Sequence, residues 1–223
     1  MFRSLYYLVR KDIRLVLSGG GGPVQAVLLG LLLVFMFSLG SPVGSEISAR
    51  SAATVFWLAS AFSLILIYNN LYLLEEENRS RVGLILGAGA VQVVYLGKAV
   101  AGFILLLLTQ IFFFPAIFVF LGQEFLGSPA LLAAVFGVDA GMVFIGSLLG
   151  AAAQGTGVRD SLLSIIIFPL LMPVLLAGIR LLSACMLRDP SGDLGSWLMV
   201  VLAFDAVFAG AALILFPFMY TGD

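Results

Sequence analysis

The chain has 223 residues, of which 62% are hydrophobic and 10% charged, with a formal net charge of −1. A soluble domain carries roughly 25% charged residues, so this chain cannot cover itself with polar surface, and lipid must be its main solvent. It has no histidine and one cysteine, Cys185. That removes the commonest general base, any internal disulfide and any cysteine cluster for a metal, and no basic run points to nucleic acid.

Residues 2–17 read as an amphipathic helix. Phe2, Tyr6, Val9, Ile13 and Val16 recur at helical spacing, Leu5 and Leu17 widen the stripe, and Arg3, Arg10 and Arg14 lie opposite. A basic amphipathic segment ahead of a first span is expected to lie in the membrane interface. No small-residue cleavage site follows before Ser41, so the first span reads as a retained anchor rather than a signal peptide. Ser18 and glycines 19–22 form a hinge, and Pro23 can start the next helix. The glycines do not form a phosphate loop, because Pro23 stands where Gly-Lys-Ser/Thr is required.

Six apolar stretches follow, at about 23–40, 51–74, 99–122, 130–153, 161–186 and 196–220. A bilayer core of about 30 Å needs roughly 20 helical residues, and all six fit. Closed barrels need alternating strands near ten residues, which these runs do not show. The expected fold is therefore an all-α polytopic protein: one membrane domain with six transmembrane helices and an N-terminal interfacial helix. With the N-terminus inside, Arg3, Arg10, Lys11, Arg14, Arg79, Arg81, Lys98 and Arg159 fall on the cytoplasmic side, against Arg50 and Arg188 outside. This bias predicts both termini in the cytoplasm.

Three ionisable residues lie inside predicted spans: Asp139, Arg180 and Asp205. Each costs at least roughly 2.5–3.5 kcal/mol at the bilayer centre, so such groups usually face the bundle interior and find partners. Arg180 can pair with Asp205 or Asp139, or it can snorkel to the outer headgroups; the two aspartates can equally serve as structural partners for backbone or amide groups. Pro169 and Pro173 each free a backbone carbonyl and predict a kinked fifth span that packs against its neighbours or moves. Gly137/Gly141 and Gly146/Gly150 have the spacing that lets helices approach closely, within one chain or between two. Asn69 and Asn70, near the cytoplasmic end of the second span, can hydrogen-bond across helices or serve as polar caps of the emerging helix.

The segment 75–98 stands apart. Glu75, Glu76 and Glu77 are followed by Arg79, Arg81, Gly83 and a glycine-broken apolar piece too short to span. It suits a short helix across the membrane face, offering charge and apolar contact to a cytoplasmic partner. Alternatively, the acids mark where the second helix leaves the lipid.

ARSAATVFWLASAFSLILIYNNLYLLEEENR, the Gly83–Leu84 pair and LLSIIIFPLLMPVLLAG resemble the haem exporter protein B (CcmB) family over nearly the whole chain. Trp57, the acidic cluster, and Pro169 with Pro173 carry the likeness by their order and spacing. The resemblance implies an ABC-2-exporter-like permease subunit of the cytochrome c maturation transporter in the bacterial inner membrane. This chain would be non-catalytic and bind no cofactor of its own. ATP would be held by a separate cytosolic ABC ATPase, and haem would be handled by the complex. Implied partners are that ATPase, haem-handling membrane proteins, a second copy of this chain and lipid. The coupling surface would comprise Glu75, Glu76, Glu77, Arg79, Arg81 and Gly83, pushed on together with the N-terminal helix. Rival readings are an exporter permease for another substrate, such as a lipid or drug, and a scaffold that transports nothing.

Overall fold

A computed structural model describes residues 2–19, 21–42, 46–77, 83, 90–123, 129–153, 159–187 and 193–221. Among them are seven helices: α1 (Phe2–Ser18), α2 (Gly22–Gly40), α3 (Ala49–Glu77), α4 (Val91–Leu121), α5 (Pro129–Ala152), α6 (Arg159–Leu187) and α7 (Leu194–Thr221). There are no strands among the described residues. Helices α2 to α7 are each long and apolar enough to cross a membrane, so this is a multi-pass membrane protein.

Local chemistry explains where the helices begin and end. Pro23 sits in the first turn of α2, where its missing N–H costs nothing. The Ser48 hydroxyl accepts the Ser51 N–H at 3.1 Å and caps α3. Asp193 Oδ1 accepts the Ser196 N–H at the start of α7. Gly122 stops α4 in the left-handed conformation, φ 65°, which glycine adopts without strain.

α3 is the most buried span and α7 the least. α3 packs against α2, α4, α5 and α6, while α5 packs against α4, α6 and α7. α1 lies against α4 and touches α2 and α3. Large side chains fit against glycines at these crossings. Gly30 of α2 receives the Phe113 ring of α4, and Gly102 of α4 receives Tyr68 of α3. In lipid no hydrophobic force drives helices together, so this close fit supplies much of the association.

The two glycine pairs on α5 serve contacts within the chain. Gly146 and Gly150 lie under the rings of Tyr68 and Tyr72 from α3. Gly141 and Gly137 face α7, against Asp205, Phe204 and Val201. The helix that carries the two prolines packs against α3, α5 and α7. α6 runs as one helix through Pro169 and Pro173, and both residues are exposed on its surface. Pro115 in α4 and Pro217 in α7 also lie inside spans.

The segment 75–98 is divided differently from its reading as one loop. α3 continues to Glu77 and α4 begins at Val91, so both ends belong to spanning helices. Residues 78–82 and 84–89, with Arg79 and Arg81, lie outside the described residues, as do the side chains of Glu76 and Glu77. Gly83 is exposed.

Candidate functional site

The densest polar cluster lies at the end of the bundle that carries α1. Lys98 enters it from the second helical turn of α4 and is 1% exposed. Its ammonium meets Glu75 Oε2 of α3 at 2.7 Å and Asp12 Oδ2 of α1 at 3.5 Å, and it donates to the Leu71 carbonyl at 3.1 Å. The ammonium is thus held by one hydrogen bond and two ion pairs, which join α4 to α3 and α1. The Tyr72 ring lies beneath it, 5.0 Å from nitrogen to centroid.

The carboxylates are held from other sides as well. Tyr220, near the end of α7, donates its hydroxyl to Glu75 Oε1. Lys11 meets Asp12 Oδ1 at 2.9 Å. Two carboxylates are thus balanced by two ammonium groups, which makes their burial tolerable. Next to them, Tyr72 donates to the Ser147 carbonyl of α5 at 2.7 Å, and Tyr68 donates to the Val143 carbonyl at 3.1 Å. One connected set of bonds therefore ties α1, α3, α4, α5 and α7 together at this end.

This geometry gives Glu75 a different place from a docking surface. It is 2% exposed, turned into the bundle and paired with Lys98. Lys98, read from the sequence as a loop cation, is likewise internal. Lys98, Asp12, Tyr72 and Tyr220 were not singled out as site residues in the sequence. One signal was available for Asp12, since it interrupts the stripe Leu5, Leu8, Val16 on the inner side of α1.

The three ionisable residues of the spans do not come together. Asp139 is fully buried and accepts a hydrogen bond from Gln110 Nε2 of α4 at 2.8 Å. The same Gln110 nitrogen reaches Ser60 Oγ of α3 at 3.2 Å, so Ser60, Gln110 and Asp139 join three helices at mid-bundle. Asp205 is half-buried, its Oδ1 set against Gly141 with no hydrogen-bond partner among the described residues. Arg180 is exposed and lies over the Trp197 ring of α7, 5.7 Å from its centroid. It forms no ion pair with Asp139 or Asp205, so the paired arrangement is not found. Asn70 donates to the Leu66 carbonyl of its own helix at 2.8 Å, a local bond.

None of these clusters presents a nucleophile beside a base. Their chemistry is that of helices being held in register. Comparison with known proteins agrees with a transport role for relatives of this chain. The sequence model of the CcmB protein family matches residues 3–221. Heme exporter protein B of Bradyrhizobium diazoefficiens is 25% identical over 177 residues, covering 79% of each chain. No solved structure matches.

Proposed function

Because this chain belongs to the CcmB family, we propose that it is the membrane-spanning permease subunit of an ABC-type complex serving cytochrome c biogenesis. The observation that carries this reading is the extent of the family match, which takes in α1 and all six spans. A separate cytosolic ATPase supplies the nucleotide site, and haem, or a haem-loaded chaperone awaiting release, is the cargo. Two copies of the chain sit in the bacterial inner membrane with both termini in the cytoplasm, beside haem-handling membrane proteins. The ATPase docks on α1 and on the connection between α3 and α4, with Glu76, Glu77, Arg79, Arg81 and Gly83 as the contact. Glu75 serves this surface from within, by holding the end of α3 to α4. Asp139 and Asp205 act as packing partners inside the bundle, and the exposed Pro169 and Pro173 give α6 freedom to bend.

The test begins with the tagged full chain, purified in mild detergent with its partners. A cytosolic ABC ATPase should co-purify, and charge reversal at Glu76 and Glu77 should weaken its capture. Deleting the gene should abolish covalent haem attachment to c-type cytochromes. Failure to capture any ATPase refutes the ABC reading and leaves a scaffold. ATPase capture with normal cytochrome c maturation refutes the haem assignment and points to another cargo.

A further inference from the structure

α1 is held to the bundle chiefly by α4, with smaller contacts to α2 and α3. Asp12 and Val16 are buried against the bundle, and Leu8 packs on Gly97 of α4, its Cβ 3.1 Å from where a Cβ at Gly97 would stand. A second apolar strip runs beside that contact: Val9 and Ile13 are half-buried against the core, and Tyr6 and Leu17 are exposed. With Ile104 of α4 it lines a groove of about 730 Å³, edged by Arg10, Arg14 and Ser18.

The groove is walled on one side by Ile104 of a membrane-spanning helix, which makes an acyl chain a fitting occupant. Tyr6 and Leu17 remain more than half exposed within this chain. The edge has the opposite character. Arg10 and Arg14 are exposed and have no ion pair among the described residues. Asp12, the only acid in α1, is already taken by Lys11 and Lys98. Arg10 and Arg14 stand one helical turn apart, about 6 Å along the axis, so that both guanidinium groups can reach one phosphate. An apolar slot with two unpaired cations at its interfacial edge is complementary to a molecule with an acyl chain and an anionic head.

We infer that this groove is a binding site for an anionic phospholipid. One acyl chain lies along Val9, Ile13, Leu17 and Ile104, and the phosphate is clamped by Arg10 and Arg14. The site is independent of which cargo the complex moves, since it uses only α1, α4 and the surrounding bilayer.

The experiment uses the full chain reconstituted in vesicles of phosphatidylcholine and phosphatidylglycerol in equal amounts, followed by native mass spectrometry of the lipid retained. Wild type should retain phosphatidylglycerol in preference to phosphatidylcholine. R10Q/R14Q should lower that retention about ten-fold or more, the order expected for two interfacial arginines. I104W keeps both charges but fills the slot, and should also release the lipid. R3Q removes an exposed cation outside the groove and should change nothing. Equal retention of the two lipids overturns the site. So does unchanged retention in R10Q/R14Q, which removes only exposed side chains and does not endanger folding. Loss in R3Q equal to that in R10Q/R14Q, or full retention in I104W, would show a diffuse basic face instead.

Discussion

Replacing Lys98 with methionine removes one charge from a buried network and leaves the rest in place. Met is close in length and apolar, so the packing against Tyr72 is largely kept. Glu75, 2% exposed, would lose its ammonium partner while keeping its bond from Tyr220, and Asp12, 4% exposed, would retain Lys11. Breaking a buried ion pair by removing one partner costs about 3–5 kcal/mol, because the other charge stays desolvated. Glu75→Gln should cost less, about 1–3 kcal/mol, since Lys98 keeps Asp12 and the Leu71 carbonyl. The double variant Lys98→Met/Glu75→Gln should be less destabilised than the sum of the two, by a coupling of about 1–3 kcal/mol. Reversible unfolding in mixed micelles with increasing SDS reads these differences. Trp57, fully buried between α3 and α6, reports loss of tertiary packing by fluorescence. If Lys98→Met falls within about 1 kcal/mol of wild type, or the two substitutions simply add, the network does not hold the bundle as described.

The same titration checks three further substitutions. Tyr220→Phe removes the hydroxyl that Glu75 accepts and should cost about 1–2 kcal/mol; no measurable change would detach α7 from the network. Gln110→Leu takes away the donor on Asp139 Oδ1, and should cost about 1–3 kcal/mol through the buried acceptor left behind. Equal stability would mean that Asp139 finds another donor. Gly146→Val drives a side chain into the Tyr68 ring, whose Cδ2 and Cε2 stand 2.6 Å from an added Cβ, and should cost about 1–3 kcal/mol. Gly210→Ala, on the open face of α7 with nothing within 4 Å, should stay within about 0.5 kcal/mol. The reverse order at the two glycines would contradict the packing of α5 on α3.

The six spans and α1 were legible because lipid imposes a requirement that one segment can meet alone. An uninterrupted apolar run satisfies it, and no knowledge of neighbours is needed. The ends of the spans were less legible at 75–98. Charge at Glu75 and Lys98 ended the apolar runs, so the helices seemed to stop there. In the protein each charge cancels the other's cost, and α3 and α4 pass through the paired residues. Pairing is a property of which helix lies on which, and a single sequence does not contain it. The same holds for Asp139, whose partner Gln110 lies on a different span, and for Arg180, which rests on Trp197. The glycine pairs of α5 were ambiguous for this reason too. Only the positions of Tyr68, Tyr72 and Asp205 assign them to contacts within the chain.

The buried pair also changes how a permease of the proposed kind would be driven. A row of acids on the surface would transmit force only while a partner pressed on it. Here the end of α3 is joined through Glu75 to Lys98 of α4, to Asp12 of α1 through the same ammonium, and to Tyr220 of α7. Lys98 is ion-paired with Asp12 as well as Glu75, so sliding α1 along α4 would separate charges buried within the bundle. Displacement of α1, or of the connection between α3 and α4, must therefore move these helices together or break the network. Relative motion is less constrained where no such bond exists: among the described residues α6 makes no bond to the network, exposes both of its prolines, and carries Arg180 on a stacking contact with α7. In the proposed transport cycle, the unit pushed from the α1 end is α1, α3, α4, α5 and α7, and α6, which has no bond to it among the described residues, is freer to yield.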